Sequence, residues 1–290
     1  MRFRLADDIG TTAVKGALFD AGGAVRARFA EGYATRRPGP DLAEQDPDDW
    51  LRLTRAALAA LAEGLEARDV AAVALTAQVN THVFVDAALR PLMPALTWAA
   101  AEAAELQAAV SAADRTRWLG APIPLDASHV LPRMLWCQRA RPGDWDRTAR
   151  VMLPKDYVLA HLVGAAVSDP LSNIGIVGPD LGPAAPLLAA VEGAAARLVP
   201  LVAPVETVGR LPHGGPLPGV PVAAGTMDAW AALVGCGGAR EGAQVWLSGT
   251  SEVPGAVAAG VVPTPGVVVF PAALGIRLHA APTQAGGDAA

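Results

Sequence analysis

With 290 residues, 52% of them hydrophobic, and a net charge of −5, the chain can build a sizeable core but has no electrostatic reason to bind nucleic acid or an anionic membrane. Its two cysteines, Cys137 and Cys236, form neither a CxxC pair nor a zinc-like cluster, and read as buried free thiols in a reducing compartment. The first eight residues lack the apolar run of a signal peptide, and the apolar stretch 257–275 is broken by Pro263, Pro265 and Pro271, so the expectation is a cytoplasmic protein with no spanning helix there.

Residues 3–9 and 13–20 read as strands, Ala21-Gly22-Gly23 as a turn able to supply positive φ, and residues 25–30 as a returning strand. Three strands on short turns predict the antiparallel opening of a mixed sheet. A polar loop containing Pro38, Gly39 and Pro40 comes next. Asp46-Pro47-Asp48-Asp49 signals a helix start: Asp46 can cap, Pro47 fits the first helical position, and the carboxylates suit the positive end of the dipole. Trp50, Thr54, Ala57, Leu58, Leu61 and Leu65 follow at helical spacing. Strands are predicted over 70–75 and 81–85, and helices over 99–112, 130–139 and 157–163. Pro-rich and Gly-rich loops fall around 179–186 and 211–221. A strand over 220–224, a helix over 228–235 and a strand over 245–248 follow. The alternation predicts an α/β fold.

Three features carry chemistry. In Asp8-Ile9-Gly10-Thr11-Thr12-Ala13-Val14-Lys15, Gly10 permits close backbone approach at a strand turn, and Thr11 and Thr12 offer hydroxyl and N–H donors to phosphate. Asp8, at a strand end, could hold Mg²⁺ through water. A plain polar turn is the competing reading of this run. Val245-Trp246-Leu247-Ser248-Gly249-Thr250-Ser251 repeats the arrangement of apolar strand, then Gly and hydroxyls. Two such loops suit a nucleotide cleft clamped from both sides, and no GxxxxGK[ST] P-loop is present. Ala224-Gly225-Thr226-Met227-Asp228 sets one carboxylate after a strand and a Gly turn. Asp228 there is either a general base for an attacking hydroxyl or a helix N-cap.

The ordered set resembles the FGGY family of carbohydrate kinases, in the actin/hexokinase/Hsp70 superfamily. The matching segments are Asp8 to Thr12 with Lys15, Gln78, Arg90-Pro91-Leu92-Met93-Pro94-Ala95-Leu96-Thr97-Trp98, Leu153-Pro154-Lys155-Asp156-Tyr157, Ser168-Asp169-Pro170-Leu171-Ser172-Asn173, the Asp228 segment, and Ser248 to Ser251. The chain looks closer to the xylulokinase-like members than to glycerol kinases, which carry Arg-Glu where this sequence has Val79-Asn80. The resemblance implies a ribonuclease H-like mixed-sheet domain over residues 1–236 and only the start of a second such domain over 237–290. It implies ATP and Mg²⁺ as cofactors and a pentulose or related sugar or polyol as acceptor. Asp228 would be the general base and Asp8 the metal carboxylate. Gly10, Thr11, Thr12 and Lys15 would form the first phosphate loop, and Ser248, Gly249, Thr250 and Ser251 the second. Gln78, His82 and Trp98 would face the sugar. For His82 and Trp98 an ordinary core position is the competing reading. Lys155 and Asp156 are expected to hold the fold through a surface or loop interaction.

Two departures qualify these expectations. The family commonly continues its Trp as Trp-x-Asp-x-Arg; here the Asp position is Ala100 and the Arg position Glu102, which removes an acceptor for sugar hydroxyls and reverses a charge. By the same resemblance, the sequence up to Ala290 is expected to reach only the early part of the second domain, before its Gly-rich adenosine segment. Strands such as Val267-Val268-Val269-Phe270 would then be exposed, inviting association and leaving a homo-oligomer open. The rival expectations are a truncated, catalytically silent sugar-binding remnant and a non-kinase ATPase of the same superfamily.

Overall fold

A computed structural model describes residues 2–39, 42–96, 100–248 and 252–281. It opens with β1 (Phe3–Ile9), β2 (Ala13–Phe19) and β3 (Val25–Gly32), each antiparallel to the next. The segment expected to be a polar loop contains β4 (Thr35–Gly39) and β5 (Leu42–Gln45), an antiparallel pair. β4 is largely exposed, so no apolar alternation marks it as a strand.

Helix α1 (Pro47–Leu61) starts where its signals place it. The Asp46 carboxylate accepts the Asp48 N–H at 3.0 Å, Pro47 is the first helical residue, and Trp50, Leu53, Ala57, Leu58 and Leu61 are buried. β6 (Val70–Ala77), β7 (Val83–Val85) and β8 (Ala95–Leu96) follow. Then come α2 (Ala100–Ala109), α3 (Ala112–Leu119), α4 (Val130–Ala140), the short α5 (Pro142–Arg147) and β9 (Arg150–Met152). α6 (Pro154–Val163) is succeeded by two single-turn helices, α7 (Ala185–Leu188) and α8 (Ala194–Arg197). β10 (Thr207–Arg210), β11 (Pro221–Met227), α9 (Asp228–Gly235), β12 (Gln244–Ser248), β13 (Glu252–Ala258), β14 (Val268–Val269) and β15 (Arg277–Ala280) complete the described chain.

The principal sheet has six strands in the order β10-β11-β6-β1-β2-β3. β11, β6 and β1 are parallel neighbours, and the outer pairings are antiparallel. One face is closed by α1 and α6 over Leu5, Ile9, Val14, Val73, Leu75 and Val222. Trp50 meets Tyr157 edge-on across the two helices, at 6.4 Å between ring centroids, and the Tyr157 hydroxyl donates to Asp48 at 2.8 Å. A second sheet, β12-β13-β15-β14, packs Val257, Val269 and Leu278 against a core shared with α4, α9 and residues 171–191.

Three expectations are corrected here. Val269 and Phe270 are buried against the shared core, and among the described residues of this region the exposed large apolar side chains are Trp246, Val262 and Leu274. Cys236 is exposed, just past the end of α9, whereas Cys137 is buried as expected. Lys155 and Asp156 are not at the surface, each side chain being 1% exposed; of the two alternatives it is the loop interaction that holds, through Lys155 and Asp169. No helix among the described residues is long and apolar enough to cross a membrane.

Candidate active site

The three parallel strands bring three chemical residues to one edge of the sheet. Asp8 pairs in register with Thr76, Ile9 with Ala77, and Met227 with Ala77 from the other side. Asp8 therefore lies at the C-terminal end of β1, Gln78 directly after β6, and Asp228 directly after β11. Carboxyl ends of adjacent parallel strands are where open α/β sheets bind ligands.

Asp8 is half-buried, and its pKa is pushed up to about 6 by burial and by the nearby Asp228 carboxylate, with Lys15 pulling it back. Its Oδ1 is buried without a hydrogen-bond partner among the described residues. Asp228 is the first residue of α9, following Met227 as cap, and its Oδ1 accepts the Ala229 N–H at 2.7 Å. Burial raises its pKa above the usual carboxylate range. A raised pKa brings a carboxylate nearer the operating pH, where a base is most effective.

Asp228 reaches this edge because β11 is irregular. Its pairing with β6 slips between Ala223 and Thr226, and Gly225 in between has φ +71°. A Cβ on Gly225 would overlap the Leu75 carbonyl oxygen, so only glycine lets the bulged strand press this closely on β6.

The Gly10–Thr12 turn is held by a clasp that the sequence did not suggest. The Tyr33 hydroxyl donates to the Gly10 carbonyl in a short hydrogen bond. Gln45 Nε2 donates to the Thr11 carbonyl at 3.0 Å and to Thr35 Oγ1 at 2.9 Å. Gln78 Nε2 donates to Gln45 Oε1 at 2.7 Å and to the Tyr33 hydroxyl at 3.2 Å, and its backbone N–H bonds Ile9 at 2.9 Å. The Thr11, Thr12 and Lys15 side chains remain exposed. Tyr33 and Gln45 have no motif around them, and no sequence signal marks either as part of the site.

His82 is buried beside Leu96, with which it exchanges backbone hydrogen bonds at 3.0 and 2.9 Å. Its Nδ1 is in short contact with Arg133, also buried. Burial, then the charges of Arg133 and His129, hold the imidazole pKa well below its usual value, so His82 is neutral. Trp98 and Gly249, Thr250 and Ser251 lie outside the described residues. Ser248 is exposed and donates to Glu252 at 2.6 Å. Among the described residues no hydrogen bond or ion pair joins it to Asp8 or Asp228.

Residues 4–177 match the model of the FGGY family of carbohydrate kinases, N-terminal domain. The xylulose kinase of Escherichia coli (strain K12) is 31% identical over 269 residues, an alignment covering 89% of this chain and 55% of that protein. That of Streptomyces coelicolor is 33% identical over 228 residues, covering 74% of this chain and 46% of the relative. The crystal structure of xylulose kinase from Rhodospirillum rubrum superposes with a TM-score of 0.89 at 23% identity, covering 99% of this chain and 62% of that one. The fold is thus that of the actin/hexokinase-like kinases, and the chain belongs to the FGGY family of carbohydrate kinases. It spans 55% of the length of the Escherichia coli relative.

Proposed function

We propose that this chain forms the sugar and first-phosphate-loop part of an ATP-dependent carbohydrate kinase, transferring the γ-phosphate of ATP to a hydroxyl of a pentulose or related sugar or polyol. The observation that carries the reading is the meeting of Asp8, Gln78 and Asp228 at the ends of three adjacent parallel strands. The matched xylulose kinases favour a pentulose as the acceptor. Residues 1–236 are read as the first domain and 237–290 as the beginning of the second, contributing Ser248 to Ser251 as the other phosphate loop. Two free cysteines agree with a reducing, cytoplasmic setting.

Asp228 takes the proton of the attacking hydroxyl as its oxygen bonds the γ-phosphorus and the bond to the ADP oxygen breaks. Gly10, Thr11, Thr12 and Lys15 offer donors to the phosphates. Gln78 uses its amide nitrogen on the loop clasp, which leaves Oε1 to accept from a sugar hydroxyl. His82 and Trp98 are assigned to the sugar side. The donor set fits Mg²⁺: Asp8 carries an unpartnered buried oxygen, and no group of three His, Cys, Asp or Glu side chains forms a dedicated cage among the described residues. One carboxylate plus water and substrate phosphates is the usual Mg²⁺ environment. When bound, Mg²⁺ supplies charge neutralisation of the phosphates, and Asp8 would hold it.

The test is sugar-dependent ADP release from MgATP against a panel of pentuloses, hexoses and polyols, with Asp228→Asn in parallel. Loss of a general base should lower turnover by roughly 10²–10⁴-fold without loss of thermal stability, since burial already disfavours the ionised Asp228. Wild-type turnover in Asp228→Asn would overturn the mechanism. Sugar binding by calorimetry with no ADP release would instead favour the silent sugar-binding remnant, a reading encouraged by Ala100 and Glu102 at the altered Trp98 segment.

A further inference from the structure

The Asp228 carboxylate has no side-chain anchor among the described residues; its hydrogen bond is to the first turn of its own helix. Its position is therefore set by the path of the chain that delivers it. Two residues earlier, the Thr226 hydroxyl donates to Asp169 Oδ1 at 2.9 Å. Asp169 is 0% exposed, and the same oxygen accepts the backbone N–H groups of Leu171 at 3.0 Å and Ser172 at 3.1 Å. Its other oxygen faces Lys155 Nζ at 3.0 Å, and Lys155 also meets Asp156 Oδ1 at 2.6 Å. Burial alone would lower the Lys155 pKa, but the two carboxylates overcome it and raise it, so the ammonium stays charged. Asp156 in turn accepts the Leu153 N–H at 3.3 Å, tying the assembly to the start of α6.

A buried ion cluster of this kind is a poor source of net stability, because desolvation offsets most of the attraction and apolar replacements are often neutral or better. What it supplies here is direction. It fixes α6, the 168–173 turn and β11 to one another, and the contact with β11 falls between the Gly225 bulge and Asp228. On the reading of Asp228 as the base, we propose that Lys155, Asp169 and Thr226 are positioning residues, which hold the bulged end of β11 so that the Asp228 carboxylate reaches the acceptor hydroxyl. Thr226 is the final link, and the ion cluster acts only through it.

Thr226→Val in the full chain removes the donated hydrogen bond at nearly constant volume and leaves Asp169 with Lys155, Leu171 and Ser172. A displacement of about 1 Å at a reacting group costs up to ~10²-fold, so kcat should fall by about 10–100-fold while KM for the sugar changes by less than about threefold. Thr226→Ser restores the hydroxyl and should recover kcat. A wild-type kcat in Thr226→Val, or a loss that Thr226→Ser does not rescue, would overturn the proposal. A readout independent of turnover is amide exchange of Ala229 by NMR, since its N–H bonds Asp228. That exchange should quicken by about tenfold in Thr226→Val, a loss of about 1.4 kcal/mol of local protection, and return in Thr226→Ser with α1 amides unchanged. If Ala229 responds but the wild type, like Asp228→Asn, shows no sugar-dependent ADP release, the positioning device stands and the kinase reading fails. Unchanged Ala229 exchange rejects the device itself.

Discussion

The two sheets each bury one face, and the faces they leave open are built from different residues. On the first, Ala6, Lys15, Ala17, Phe19, Arg28 and Ala30 line a groove of about 640 Å³ that runs up to Asp8. On the second, Val245, Trp246, Pro254, Val262 and Val267 line a groove of about 660 Å³, and Trp246 is 68% exposed. The volumes are similar but the linings differ. The first groove sets Lys15 and Arg28 beside the carboxylate of Asp8. The second is a bulky apolar surface of the kind that proteins cover or use for association. The first region is also locked by buried polar networks that tolerate little change, whereas the open face of the second should tolerate much. Four substitutions can break or sharpen this contrast.

The largest effect is expected at Gly225. Gly225→Ala would drive a Cβ into the Leu75 carbonyl at a positive φ, with a cost above about 4 kcal/mol, read as loss of soluble folded protein or of cooperative thermal unfolding. A variant that melts like the wild type would mean that the bulge is not needed.

Lys155→Met comes next. It strands Asp156 and Asp169 without their cation, and should lose about 3–5 kcal/mol in urea unfolding at neutral pH. Partial recovery in the double variant Lys155→Met/Asp169→Asn would identify unpaired charge as the cause.

Asp7 gives a pH-dependent effect. It is wholly buried opposite Gly16, whose missing Cβ leaves room for the carboxylate, and neither of its oxygens has a partner among the described residues. Burial first, and then the charge of Asp8, push its pKa up to about 8 from an ordinary 3.8. The unfolded chain therefore releases this proton at lower pH than the folded one. The contribution is complete below pH 3.8 and is lost as pH rises towards 8, by at most about 1.4 kcal/mol per pH unit. Asp7→Asn should flatten this part of the stability–pH curve and gain on the wild type as pH rises from 5 to 8. Parallel curves would show that Asp7 ionises normally.

The smallest effect is expected on the second sheet. Trp246→Lys should change unfolding free energy by less than about 0.5 kcal/mol and reduce self-association in sedimentation. A loss above about 2 kcal/mol would place Trp246 in a packed core and erase the contrast between the regions.

Much of the fold was legible because its signals are local. The β1–β2–β3 opening, the Asp46-Pro47 start of α1, and the strand leading to Asp228 each depend on neighbours within a few residues. Strands β4 and β5 were not legible, because β4 is mostly exposed and polar and β5 is a four-residue strand whose buried Gln45 is polar, so neither has an apolar period to read. Nor did the pattern around Val267 to Phe270 reveal that Val269 and Phe270 would be covered, since burial of a short apolar run depends on what packs over it. In the candidate site, the Gly and Thr turn and the Asp228 carboxylate stood out as residue types at strand ends.

By itself, then, the sequence determined the opening strands, the start of α1, the strand leading to Asp228 and the chemistry available at three strand ends, through propensities and spacings acting over one or two turns of chain. The tertiary structure alone decided how those residues are held. The clasp joins Gln78 to Tyr33 and Gln45, 45 and 33 residues away, and the positioning cluster joins Thr226 to Asp169 across 57 residues. A hydrogen bond is made over about 3 Å in space, and polar side chains so far apart in sequence carry no mark of meeting until the chain has folded around them.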